Sequence, residues 1–288
     1  MEDQFTNNII NKKCSIAVIM SVYRGDDAIY FQNAIDSVLK QEDISKFDLH
    51  VYLGIDGPIS EEMHDAIYKR ESEIYKIFEF RENRGLSYVL NDLIDCLDDE
   101  VFIFRMDADD ICHPQRFIRQ LRFMDRNVGI DVLGTAIWEM QGNKPQRLIR
   151  YPLEHGEAVA AIHKRSPFAH PTVCFRRRVF DIVEAGYPHT NLCEDVALWF
   201  TCIRNDLRFG NLAEPLLYFR VNENFWKRRG MLRAKSELML WTKGVWGMYG
   251  FNWRLAFPMM RFLYRLSPGI IQKWGYRSKW RAKNADSR

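Results

Sequence analysis

Between residues 16 and 138, strand-length apolar runs alternate with segments whose apolar residues recur at helical spacing, and few folds accommodate that order. IAVIMSV (16–22), DLHVYLGI (48–55), a short run at 76–80, VFIFRM (101–106) and 131–138 have strand length. Residues 26–41 place Ile29, Ala34, Ile35, Val38 and Leu39 on one helical face. A helix is expected near 60–73, and 85–97 repeats the spacing with Leu86, Val89, Leu90, Leu93, Ile94 and Leu97. Pro114 opens another helix to about 126, since proline is well tolerated in a first turn. This order predicts an α/β fold with a mostly parallel central sheet flanked by helices. Less regular sequence follows, with a helix at 154–163, a strand at 171–176, a helix from Glu194-Asp195 to about 204 and a strand near 212–221.

In such sheets ligands bind beyond the carboxyl ends of the strands. The loops of interest therefore follow residues 22, 55, 80 and 106. They carry Tyr23, Asp56, Asn83-Arg84 and Asp107/Asp109/Asp110. MDADD (106–110) is the densest of these. Three carboxylates in four positions repel one another unless a cation or a hydrogen-bond network holds them. Hard oxygen ligands at that density suit Mg²⁺ or Mn²⁺, either of which can grip a diphosphate. An EF-hand register would need Gly at 112 and Glu at 118, where the chain has Cys112 and Ile118. A phosphatase-type nucleophilic aspartate and, for Asp110, a helix-capping carboxylate are the competing readings.

The net charge of +3 conceals a split. Residues 1–226 carry 26 Lys/Arg against 36 Asp/Glu, a net of −10; residues 227–288 carry 15 against 2, a net of +13. Five of the eight tryptophans lie in the basic part, which favours an anionic lipid surface over nucleic acid. Six cysteines without a CxxC pair read as free thiols. The polar start MEDQFTNNIINKK lacks a signal-peptide core, and no run is long enough to span a bilayer. The expected location is the cytoplasm, attached peripherally to the inner face of the plasma membrane.

SIAVIMSVYRGDDAIYFQNAIDSVLKQ, LGIDGP, ENRGLSYVLNDLI and RMDADDICHPQRF, in that order, resemble family 2 glycosyltransferases of the GT-A fold. HPTVCFRR (170–177), CEDVALWF (193–200) and YFRVNENFWKRRG (218–230) resemble later motifs of bacterial members that build O-antigen, capsular or exopolysaccharide repeat units. The resemblance implies a catalytic domain over 1–226, with a nucleotide-binding half at about 14–138 and an acceptor half at about 139–226. It also implies roles for single residues. Val22 and Tyr23 lie beside the nucleotide base, Asp56 holds the uracil or ribose, and Asn83, Arg84 and Gly85 flank the nucleotide. Asp107 stands near ribose and metal, and Asp109 is a direct metal ligand. Asp195 is the base of an inverting transfer, with Glu194 as its proton-sharing neighbour. Simple charge complementing a helix N-terminus is the competing reading for that pair. His170 is a possible acceptor contact or an ordinary packed histidine.

Arg220, Arg228 and Arg229 are candidates to fold over a donor or acceptor diphosphate, or form a solvated face. Many relatives have histidine two residues after the arginine matching Arg220, whereas this chain has Asn222. In the tail (227–288), Arg254, Arg261 and Arg265 fall within about 40° on a helical wheel, a cationic stripe among apolar residues. That pattern suits an amphipathic interfacial helix; docking on the body is the alternative. The implied reaction moves a sugar from a nucleoside diphosphate sugar, with UDP preferred, to a lipid-diphosphate glycan. A sugar nucleotidyltransferase and a catalytically inactive scaffold are the alternatives.

Overall fold

The computed structural model describes residues 13–142, 144–190, 192–221 and 231–267. The first half follows the expected alternation: β1 (Cys14–Tyr23), α1 (Ala28–Leu39), β2 (Phe47–Asp56), α2 (Glu61–Tyr68), β3 (Lys76–Phe80), α3 (Leu86–Asp95) and β4 (Phe102–Asp107). After a two-residue β5 (Ile111–Cys112) come α4 (Arg116–Arg126), β6 (Val132–Gln141), β7 (Lys144–Ile149) and α5 (His155–Ala161). The rest runs β8 (Cys174–Arg176), α6 (Arg178–Ile182), α7 (Glu194–Arg204), β9 (Phe209–Arg220), α8 (Met231–Tyr249) and α9 (Ala256–Leu266).

One sheet runs in the order β3-β2-β1-β4-β8-β6-β9-β5, with β7 beside β6. β3, β2, β1 and β4 are parallel, β8 is antiparallel to β4 and β6, and β6 and β9 are parallel. Burial on both faces explains why β1 and β4 read as continuous apolar runs. One face packs Phe31, Ile35 and Val38 of α1 with Phe117 and Leu121 of α4; the other packs Val89, Leu90 and Leu93 of α3 with Leu198 and Trp199 of α7. Trp241 and Val245 of α8 are buried in this second layer, and the Trp241 indole donates to the Ile162 carbonyl at 2.9 Å.

Register decides where the loops meet. Tyr23 pairs with Asp56, Asp56 with Phe80, and Ser21 with Asp107, so four strand ends open onto one edge. The strands absent from the sequence reading are short or polar. β5 depends on antiparallel pairing with Leu217 and Tyr218 of β9, and β7 (KPQRLI) exposes its first three residues at a sheet edge.

The wheel-derived arginine stripe does not face outward. Arg265 grips buried Glu237 through both oxygens, at 3.0 and 2.7 Å. The Arg261 guanidinium lies 4.1 Å from the Trp241 ring centre and donates to the Lys164 carbonyl. Arg254 precedes α9 and covers the Tyr249 ring at 4.4 Å. These contacts bind α9 to α8 and to the body, which corrects the expectation of a cationic outer stripe. No helix among the described residues is long and apolar enough to cross a membrane.

Candidate active site

The β2 end is built by a carboxylate. Asp56 is 4% exposed and accepts from Asn83 Nδ2 at 2.9 Å, the Arg84 amide at 2.7 Å and the Gly85 amide at 3.0 Å. Gly57, at φ +82°, is what lets this loop close. A Cβ there would stand 2.6 Å from the Asn83 amide nitrogen. A carboxylate offers about four lone-pair sites, so Asp56 retains room for roughly one further donor. Arg84 is turned sideways, stacked 4.1 Å over Phe80 and paired with Asp92. The Tyr23 amide donates to Asp26 at 3.0 Å, and its ring lies over Gly25, where a Cβ would fall 2.4 Å from the hydroxyl. Val22 is fully buried in the core at the end of β1. It pairs with Ile55 one position before the Tyr23–Asp56 strand ends.

The acidic turn follows β4. Asp107, Asp109 and Asp110 have carboxylate oxygens all within 4.8 Å of one another. Asp107 and Asp109 are partly open to solvent, whereas Asp110 is 1% exposed. One Asp110 oxygen accepts the Arg220 amide at 2.8 Å; the other is buried without a partner. Burial and the charges of Asp109 and Asp107 push the Asp110 carboxyl well above the usual carboxylate range. A crowded acidic cluster with an orphaned buried oxygen suits a hard divalent cation.

Arg220 holds this turn rather than reaching into the site. It is 3% exposed, donates from Nε to the Asp109 carbonyl at 2.8 Å and from Nη1 to the Gly142 carbonyl at 2.6 Å, and lies 3.9 Å over Tyr30. We expect Arg220→Met to remove roughly 2–3 kcal/mol of stability, because it strands buried acceptors. A melting temperature lower by about 5–10 °C, read by circular dichroism, checks this. Arg228, Arg229 and Asn222 lie outside the described residues.

Glu194 and Asp195 open α7 after a turn in which Leu192 (φ 76°) and Cys193 (φ 65°) both take the left-handed conformation. Two consecutive non-glycine residues there store strain, a pattern concentrated at functional sites. Both carboxylates are half-buried at the helix N-terminus. Burial raises both, and the charge of Asp195 helps push Glu194 up to about 7. The field of Asp107 also raises Asp195, so the acidic turn and the carboxylate pair share one electrostatic site.

Arg105 was not among the sequence candidates. It is 1% exposed on β4, donates to the Met106 carbonyl and pairs with Asp107. Its charge also reaches Glu194, Tyr187 and His170. An arginine inside an otherwise apolar strand (VFIFRM) was the available signal, since an arginine is almost never buried unpaired. His170 lies in a short turn before β8, its Nε2 2.9 Å from the buried Tyr187 hydroxyl. Burial, with the Arg105 charge, drives its pKa well down, so it is neutral at physiological pH.

A parallel-stranded edge where a carboxylate-built loop, an acidic turn and a second carboxylate pair meet is the arrangement of a GT-A-type glycosyltransferase fold. The profile of Glycosyl transferase family 2 matches residues 17–182, and the chain belongs to that family. It is 28% identical over 265 residues to the amylovoran biosynthesis glycosyltransferase AmsE of Erwinia amylovora, covering 90% of this chain and 97% of the relative. It is 30% identical over 227 residues to the UDP-Gal:alpha-D-GlcNAc-diphosphoundecaprenol beta-1,3-galactosyltransferase of Escherichia coli, covering 77% and 80% respectively. In fold it is similar to S. aureus TarS 1–349 in complex with UDP-GlcNAc. The TM-score is 0.64 at 15% identity, over 95% of this chain and 76% of the other.

Proposed function

We propose that this glycosyltransferase transfers a sugar, with inversion, from a UDP-sugar to a lipid-diphosphate-linked glycan in bacterial surface polysaccharide assembly. The observation that carries the reading is the convergence of the Asp56 loop, the acidic turn and the Glu194/Asp195 pair at one sheet edge. The names of two relatives, which specify amylovoran biosynthesis and a UDP-galactose and diphosphoundecaprenol reaction, support donor and acceptor class.

In this reading the remaining lone pair of Asp56 accepts an imide N–H of the base, and the Asn83–Gly85 loop walls the nucleotide. Asp107 and Asp109, with Asp110 beneath, would hold Mg²⁺ or Mn²⁺, which neutralises charge on a diphosphate leaving group. Arg105 fixes the Asp107 carboxylate from below. Asp195 takes the proton of the acceptor hydroxyl as that oxygen attacks the anomeric carbon from the face opposite the departing diphosphate. Glu194 shares a proton with Asp195 into the neutral range, so Asp195 is fully available as a base only once that proton has left. Neutral His170 orients Tyr187 under this pair.

A pH profile follows. The rate with saturating donor and metal should climb through the neutral range as the carboxylate pair loses its last proton. Glu194→Gln should move that limb to lower pH. The sign for stability is opposite: the folded chain holds the Glu194 proton more tightly than the unfolded chain. Stability should therefore decline as the pH rises from 4.5 to about 7. A limb that stays in place in Glu194→Gln would assign the titration elsewhere. Donor class is tested by thermal stabilisation across UDP-, GDP- and dTDP-sugars with Mn²⁺; no response to any UDP-sugar would refute the donor assignment.

A further inference from the structure

The sequence of α9 is amphipathic, yet the structure seats it inside out. Its solvent side carries Ala256, Met259, Met260, Leu263 and Leu266, at positions i, i+3, i+4, i+7 and i+10. Arg261 and Arg265 point inward, bound to Trp241, Lys164 and Glu237. The outer stripe of α8 alternates charge with bulk: Lys235, Met239, Lys243 and Trp246 are all exposed. At the turn joining the two helices Phe251 is 87% exposed and Trp253 62%. Trp246 meets Phe251 edge-on at 6.1 Å, so the stripe and the turn form one surface.

We infer that this outer face, with the Phe251–Trp253 turn as its tip, inserts into the headgroup layer of an anionic bilayer. This inference rests on the lipid-linked acceptor of the proposed function and specifies which surface meets the lipid. Three observations favour lipid over a protein partner. Protein interfaces deplete lysine at their centre, whereas Lys235 and Lys243 sit within this surface. Tryptophan and phenylalanine beside lysine is the composition of the membrane interface. The sequence after α9 adds six Lys/Arg against one Asp in residues 268–288, with two more tryptophans, so charge complementarity points to anionic headgroups. The inward arginines keep the helix pair on the body, leaving the apolar side chains free to insert.

The test uses the full chain and vesicles of phosphatidylcholine and phosphatidylglycerol in a 3:1 ratio. The wild type should sediment with these vesicles and less with phosphatidylcholine alone. Phe251→Ser with Leu263→Ser should lower partitioning by about tenfold or more, the effect expected when two large apolar side chains lose partial burial. Both residues face solvent, so the melting temperature should hold. In the unaltered protein, brominated lipid should quench a fluorescence component that Trp253→Phe removes. A wild type that ignores vesicles overturns the inference. So does a double variant that binds unchanged, which would assign any binding to the basic sequence alone. A dimer that the double variant dissociates without changing vesicle binding would assign the face to a second copy. Donor hydrolysis measured without lipid separates the two readings. Turnover without vesicle binding sinks only the surface; vesicle binding with no turnover of any nucleotide sugar sinks only the assigned reaction.

Discussion

Asp195→Asn is expected to cut turnover by about 10²–10⁴-fold while leaving UDP affinity in place, the usual cost of removing a general base. The asymmetry comes from position. Asp195 opens α7, beyond the nucleotide loop, and its link to the acidic turn is the field of Asp107. The amide is isosteric and keeps acceptor capacity toward the helix N-terminus, so the fold should persist. Single-turnover rates with bound donor, together with calorimetric UDP titration, separate the possibilities. If UDP affinity collapsed while the rate per bound donor stayed unchanged, Asp195 would not be the base.

Asp109→Ala is expected to abolish metal-dependent donor hydrolysis and transfer while the chain stays folded. The structure explains why the two effects part company. Arg220 holds the backbone carbonyl of Asp109 at 2.8 Å, a contact that alanine keeps, so the turn retains its path without the carboxylate. Asp110→Ala is the contrasting change, because its side chain accepts the Arg220 amide and its loss should loosen β9 against the turn. Mn²⁺ binding, followed by the loss of the free-ion electron paramagnetic resonance signal, should fall by at least tenfold in Asp109→Ala. Full activity, or undiminished Mn²⁺ binding, would remove Asp109 from the metal assignment.

The parallel half of the sheet was legible because its strands are buried on both faces and its helices carry clean apolar spacing. Leu86, Val89, Leu90 and Leu93 predict α3 without ambiguity. Asp56, Asn83, Arg84, Gly85, Asp107 and Asp109 could be gathered beforehand because parallel register brings strand ends together wherever the loops are short. Glu194 and Asp195 lie far along the chain, and it was resemblance that joined them to the site. Periodicity is blind to Arg105, whose role depends on which way one residue of a buried strand faces. The arginines of α9 were misplaced for a related reason. A helical wheel reports which residues share a face, but Glu237 and the Lys164 carbonyl decide which face turns inward. That Arg220 binds the Asp109 and Gly142 carbonyls is likewise set by tertiary packing, which a basic residue in a sequence does not report.

The left-handed pair Leu192 and Cys193 sets stability against aim. Glycine at either position would relax a conformation that L-residues resist, and would raise the melting point if relief of strain outweighed the added freedom of the unfolded chain. It would also unhinge the approach to α7 and let the two carboxylates wander relative to the strand ends. Variants selected for heat resistance should therefore accumulate there readily and turn over slowly, whereas variants selected for activity should retain residues that dislike the turn they occupy.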